Sequence, residues 1–86
     1  MPTSLLMQYI EIAKLLMENG PHTTGQINSS IRNLDPTFLK RALDFFKRIK
    51  MISEETQGAI SRYTLTERGV GVLSFFKIVP SGANIN

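Results

Sequence analysis

The sequence predicts a mainly α domain carrying one small β-hairpin, in the order helix, helix, helix, strand, strand, helix. Three observations predict it. Apolar residues recur at helical spacing over residues 4–18 and again over 36–49. The period shortens towards two in the stretches 51–55 and 61–65, on either side of Gly58. Capping residues stand where each later helix should begin: Thr23, Asp35 and Thr66.

In the first helical stretch, SLLMQYIEIAKLLME, the side chains of Leu5, Tyr9, Ile12, Ala13 and Leu16 share one face at about 100° per residue, while Glu11, Lys14 and Glu18 lie opposite. Met7 and Leu15 fall on the otherwise polar side and need a partner. Asn19-Gly20-Pro21 stops the helix, because glycine suits the left-handed position and proline cannot continue. Thr23 then offers an N-cap with Gln26 three residues later, a capping-box pattern. Ile27, Ile31 and Leu34 follow at i, i+4 and i+7, with Asn28, Ser29 and Arg32 facing away.

Asp35-Pro36 opens the third helix, aspartate as N-cap and proline in the first turn. The short gap between helices two and three is the spacing of a helix-turn-helix. On the wheel of helix three, Phe38, Leu39, Ala42, Leu43, Phe45, Phe46 and Ile49 occupy an arc of roughly 160°. Thr37, Lys40, Arg41, Asp44, Lys47 and Arg48 fill the opposing arc without an apolar intruder, and Lys50 lies near the boundary. Two readings of those cations stand side by side. They solvate a surface helix, Asp44 pairing with Lys40, Lys47 or Arg48, or they present a polyanion-binding face.

Charge distribution favours the second. The chain of 86 residues has a formal net charge of +3, yet Lys40, Arg41, Lys47, Arg48 and Lys50 against Asp44 alone give the segment 40–50 a charge of +4, leaving −1 for everything else. So local a basic excess suggests a patch with a polyanionic partner. After the hairpin, with Thr56–Ile60 expected as its connection, Thr66-Glu67 caps a last helix to about Val79, and residues 80–86 read as a flexible tail. One domain over 1–79 is the expected organisation.

Order and motif together resemble the winged helix-turn-helix family, in particular small archaeal DNA-binding proteins and MarR- or PadR-like regulators. The stretch Ser61-Arg62-Tyr63-Thr64-Leu65-Thr66-Glu67-Arg68-Gly69 is similar to the family's YxLTxxG motif, where the second wing strand enters the final helix. The spacing Leu39, Leu43, Phe46, Met51-Ile52 looks like a recognition helix running into the first wing strand. The resemblance implies that helix three enters the major groove of double-stranded DNA. Thr37, Lys40 and Arg41 are then expected at base edges, Asp44 as a cytosine acceptor, and Lys47 and Arg48 at phosphates. Thr23 and Thr24, opening helix two, are expected to offer backbone N–H groups to a phosphate. The wing departs from the pattern: its tip carries no cation, Glu54 and Glu55 precede it, and Arg62 alone is placed to touch a phosphate.

The last helix is too apolar for one core stripe: Val72, Leu73, Phe75, Phe76, Ile78 and Val79 cover roughly 220° of its wheel. Together with Met7 and Leu15, the residues Val72, Phe75, Phe76 and Val79 are expected to form a homodimer interface. The rival reading of the same fold is a protein–protein interaction module that does not bind DNA. Enzymatic activity is not expected. The sequence has no cysteine, its single histidine, His22, is expected in an exposed loop, and no glycine-rich phosphate loop or metal spacing is present. No cofactor and no small-molecule ligand is indicated. With no signal-peptide pattern and no apolar run long enough for a bilayer, a soluble cytoplasmic protein is the expectation.

Overall fold

The computed structural model describes residues 5–18 and 20–76. Its elements are α1 (Leu5–Leu16), α2 (Thr24–Ser30), α3 (Pro36–Arg48), β1 (Ile52–Gln57), β2 (Ile60–Leu65) and α4 (Glu67–Phe75). This is the expected α-α-α-β-β-α order, a winged helix built of four helices and one antiparallel hairpin. Residues 77–86, including Ile78, Val79 and the expected tail, lie outside the described residues.

Helices α2, α3 and α4 each start where a cap dictates. Thr23 accepts a bond from the Gln26 N–H at 3.1 Å, and its own N–H donates to Gln26 Oε1 at 2.9 Å, so the capping box is complete. Asp35 Oδ2 accepts from the Phe38 N–H at 2.9 Å, with Pro36 in the first turn. Gly20, at φ 76, takes the left-handed position after α1. Helix α2 is shorter than its apolar spacing implied. Ile31 is already an extended C-cap, and Leu34 sits beyond the helix, the turn between them passing through Asn33 at φ 60. Both side chains nevertheless reach the core.

That core gathers Ile12, Ala13 and Leu16 from α1, Ile27 from α2, Leu39, Ala42, Leu43 and Phe46 from α3, then Met51, Ile52 and Leu73. Tyr9 extends it upwards, its ring meeting Phe38, Phe45 and Phe46 edge-on at centroid distances of 5.2, 5.8 and 5.7 Å. The apolar arc of α3 is therefore its anchor, as the wheel requires.

The hairpin runs longer and turns tighter than expected. Gln57 pairs with Ile60, so the loop is only Gly58-Ala59, with Gly58 at φ 61 in the glycine position of a two-residue turn. His22 is not in an exposed loop. It is half-buried and bridges the free edge of β2, its N–H donating to the Tyr63 carbonyl at 3.0 Å and its carbonyl accepting from the Tyr63 N–H at 2.8 Å. A backbone pairing partner remote in sequence supplied what local composition could not show.

Helix α3 ends in a Schellman motif: the Lys50 N–H donates to the Lys47 carbonyl at 3.0 Å and the Met51 N–H to the Phe46 carbonyl at 2.9 Å. Lys50 takes the left-handed conformation, φ 65, that this motif usually gives to glycine. The chain then meets the start of α4. The Thr66 hydroxyl donates to the Lys50 carbonyl at 2.6 Å and lies 3.0 Å from that of Met51, while the Thr66 N–H donates to Met51 O at 2.8 Å. The same hydroxyl accepts from the Gly69 N–H, completing the helix cap. Gly69 allows this approach, because a Cβ there would collide with the Met51 carbonyl oxygen and crowd Leu65. Gly69→Ala is therefore expected to destabilise the fold by about 2–3 kcal/mol, as overpacking against backbone does. Urea unfolding checks it, the midpoint falling at unchanged slope.

Candidate nucleic-acid interface

An α-helix of 13 residues is about 20 Å long, and α3 spends its whole buried stripe on the core. What remains is the solvent arc. Thr37, Lys40, Arg41, Asp44, Lys47 and Arg48 are all exposed, and the core side of the helix takes none of them. Among the described residues Lys40, Arg41, Arg48 and Lys50 enter no ion pair, and Asp44 makes none of the three pairs that helical spacing offered it. Four cations are thus available along one helix and its C-terminal cap.

Lys47 differs. Its Nζ stands 2.5 Å from Glu54 Oε1 on β1, and the Tyr63 hydroxyl, on β2, donates to Glu54 Oε2 at 3.3 Å. Glu54 and Tyr63 are cross-strand partners, so the network ties α3 to both wing strands. The bond from Lys47, helped by the Ser61 and Tyr63 hydroxyls, holds the Glu54 carboxyl below the ordinary glutamate range. The same bond to Glu54 raises Lys47 above its usual value. Burial, reinforced by the Glu54 charge, pushes the Tyr63 phenol up. Helical spacing offered Asp44 as a partner on the same helix. The actual partner lies across the helix–strand junction.

The other expected contacts fall in two places. Thr24 and Lys40 frame a groove of about 400 Å³ between the first turns of α2 and α3, floored by Leu39 and Tyr63. Thr23 stands beside it, half-buried, with its N–H committed to Gln26. Arg62 is exposed, but it alternates with Tyr63 along β2 and lies opposite Glu55 in the register, on the wing face turned from Glu54 and Lys47. The structure therefore brings Thr24 beside Lys40 at one groove, keeps Thr37, Lys40, Arg41 and Arg48 on the solvent side of one helix, and sets Arg62 on the other face of the wing.

A second surface lies behind α3. Leu6, Tyr9, Ile10 and Ala13 of α1 face Phe45, Phe46 and Met51, and Val72, Leu73 and Phe76 close an almost wholly apolar groove of about 460 Å³. Leu6 is 68% exposed, Phe76 65% and Phe75 79%, and Phe45, expected in the core, is 44% exposed. Of the residues expected at an interface, Val72 and Phe76 line the groove, Phe75 packs edge-on against Phe76, and Met7 is half-exposed. Leu15 does not share this face. It is half-buried against the core and lines a different groove with Ser30, Ile31 and Arg32, because it stands about half a turn of the wheel from Leu6. Leu6 and Ile10 were missed, although Leu6, Tyr9, Ile10 and Ala13 carry the i, i+3, i+4, i+7 signature of an apolar stripe.

No helix among the described residues is long and apolar enough to cross a membrane, and no group of three or more metal-ligating side chains occurs among them. No family model matches the chain, and no curated protein matches it. Solved structures do. The chain is similar to AF1382 of Archaeoglobus fulgidus with a TM-score of 0.72 at 19% identity, over 83% of this chain and 81% of that one. It is similar to a possible HxlR family transcriptional factor of Thermoplasma volcanium with a TM-score of 0.67 at 25% identity, over 87% and 73%. A third similarity, TM-score 0.63 at 21% identity, is to human N-acetylserotonin methyltransferase; it covers 90% of this chain and only 23% of that enzyme, and it shows the fold alone. The winged helix-turn-helix resemblance read from the sequence is met at that coarse level, by the possible HxlR family factor.

The Lys47–Glu54 pair has a direct spectroscopic signature. A carbon-detected titration of the glutamate carboxyls is expected to place Glu54 below the ordinary value of 4.5. The pair therefore stays intact at neutral pH and opens only as acid protonates Glu54. Lys47→Met is expected to move that midpoint upwards, and an unmoved midpoint would show that the lysine does not hold the carboxylate.

Proposed function

We propose that this chain binds double-stranded DNA through the solvent face of α3, as a homodimeric transcriptional regulator or an architectural or segregation protein. It acts as a binding protein, not an enzyme. One observation carries the reading: Lys40, Arg41 and Arg48 project from one unobstructed helix face whose opposite side is locked into the core. The similarity to a possible HxlR family transcriptional factor supports it. The fit to a major groove follows from helix dimensions. Thr37, Lys40 and Arg41, in the first turns, reach base edges, with Asp44 accepting from cytosine, and Arg48 holds a phosphate. Thr24, beside Lys40, contributes to the same strand of backbone. The wing adds little, since its cation-free tip and Arg62, turned away from α3, give it at most one phosphate.

Fluorescence anisotropy with a random duplex tests the reading. With about four phosphate contacts, affinity is expected to fall about 100-fold between 50 and 200 mM salt. Selection from a random pool then separates roles. Arg41→Ala is expected to cost about 1–3 kcal/mol at one base position, whereas Arg48→Ala weakens all sequences alike. Binding without salt dependence, or none, would favour the protein-interaction module that the exposed apolar groove otherwise suggests.

The groove is assigned to a second copy of the chain. Leu6, Phe45, Phe75 and Phe76 leave large apolar side chains in water, and exposed apolar surface of this kind marks interaction sites. An isologous contact through α1 and α4 covers it and sets two recognition helices about a two-fold axis. Light scattering at micromolar concentration is expected to give a dimer, and Phe76→Ser a monomer. A monomer for the unaltered protein would remove the dimer.

A further inference from the structure

We propose that Glu54 is an internal competitor for DNA phosphate: it holds Lys47 against the wing and so removes one cation from the DNA-binding face of α3. The proposal rests on the DNA-binding reading above and concerns how tightly that face grips DNA.

Three observations carry it. Lys47 belongs to the same solvent arc as Lys40, Arg41 and Arg48, and it is the one cation of that arc paired among the described residues. Its partner is fixed while it is not. Glu54 sits on a strand, and the Tyr63 hydroxyl grips its second oxygen. Lysine carries a compact charge on a flexible four-carbon stem that can swing between two anions. The pair is also open to solvent, with side chains 41% and 25% exposed.

That exposure argues against simple bracing. Ion pairs so exposed contribute little to stability, and the wing is already held by its own ladder, by the His22 bridge and by the Thr66 bonds. Electrostatics towards a polyanion are another matter. Each lysine that neutralises a phosphate releases counterions and adds to the salt slope. A carboxylate that occupies the lysine withholds that contribution. Because phosphates carry no sequence information, Glu54 sets the strength and residence of binding and leaves base choice to Arg41 and its neighbours.

The test uses the full chain and a random duplex in four variants. Glu54→Gln is expected to bind about tenfold tighter at 50 mM salt, the gain shrinking to about threefold at 200 mM as the slope steepens by about 0.9. Glu55→Gln removes an equal charge from the same strand without freeing Lys47, and is expected to give a smaller gain at unchanged slope. Lys47→Met is expected to weaken binding several-fold more in the Glu54→Gln background than in the unaltered protein. A selected duplex should show the same factors as the random one. Equal gains from Glu54→Gln and Glu55→Gln, or equal losses from Lys47→Met in both backgrounds, would overturn the competitor role while leaving DNA binding in place. Failure of the unaltered protein to bind duplex at low salt would overturn both. Thermal melts that match the unaltered protein confirm that each variant is folded.

Discussion

The Met51 carbonyl is the point on which the arrangement turns. It accepts the Thr66 N–H and lies within reach of the Thr66 hydroxyl, and Gly69 makes room for it at the start of α4. Three elements converge there: the end of α3, the end of β2 and the first turn of α4. A backbone carbonyl taken from water needs a partner, and Thr66 serves two of them, its N–H satisfying Met51 and its hydroxyl the adjacent Lys50 carbonyl. The orientation of α3 relative to the wing is set at this junction. Without it, Lys47 and Glu54 would not be held within reach of each other, and the charged arc would have no fixed relation to the hairpin.

From that junction the division of labour on α3 follows. Its apolar stripe is anchored at one end by Leu39 and Leu43 in the core and at the other by Phe46 beside Met51, with Tyr9 edging against three phenylalanines from above. Such packing leaves the helix little freedom to roll. The cost of placing cations near one another is then met by solvent, not by protein. A rigid back is what allows a charged front to be read as geometry, since a rolling helix would present a different set of side chains to a groove at each moment. The same packing leaves Phe45 at the edge, neither inside nor fully out, where it joins Leu6 and Phe76 in the groove assigned to a second copy.

Local chemistry was legible and remote chemistry was not. The caps at Thr23, Asp35 and Thr66 are decided within three residues, so sequence alone placed them. The separation of faces on α3 was equally readable, because helical periodicity is a local property. His22 was misjudged since its partner, Tyr63, is distant along the chain and the bond is backbone to backbone, indifferent to side-chain type. Lys50 in the left-handed position carries no signature either: a non-glycine residue is held there by the Schellman bonds around it. Glu54 escaped because i, i+3 and i, i+4 rules stop where a helix ends, and its lysine lies seven residues back across that boundary. Leu15 was grouped with Met7 by polarity of surroundings alone, and only the path of α2 shows which face it serves.

The charge pattern then acquires a direction. Of the chain's cations, half lie within residues 40–50, and the wing beside them carries Glu54 and Glu55. A polyanion approaching the domain meets an attractive helix flanked on one side by a repelling strand. In the proposed DNA-binding mode the helix would therefore lead and the wing lie back, the reverse of an arrangement in which a basic wing tip enters the minor groove. In the proposed binding mode the helix would supply both grip and reading, so a residue that moderates grip is best placed at the seam between helix and wing. Glu54 occupies that seam, two residues beyond the buried Ile52 that starts β1, where under the proposed DNA binding the same carboxylate would repel backbone phosphate from the wing while it restrains Lys47.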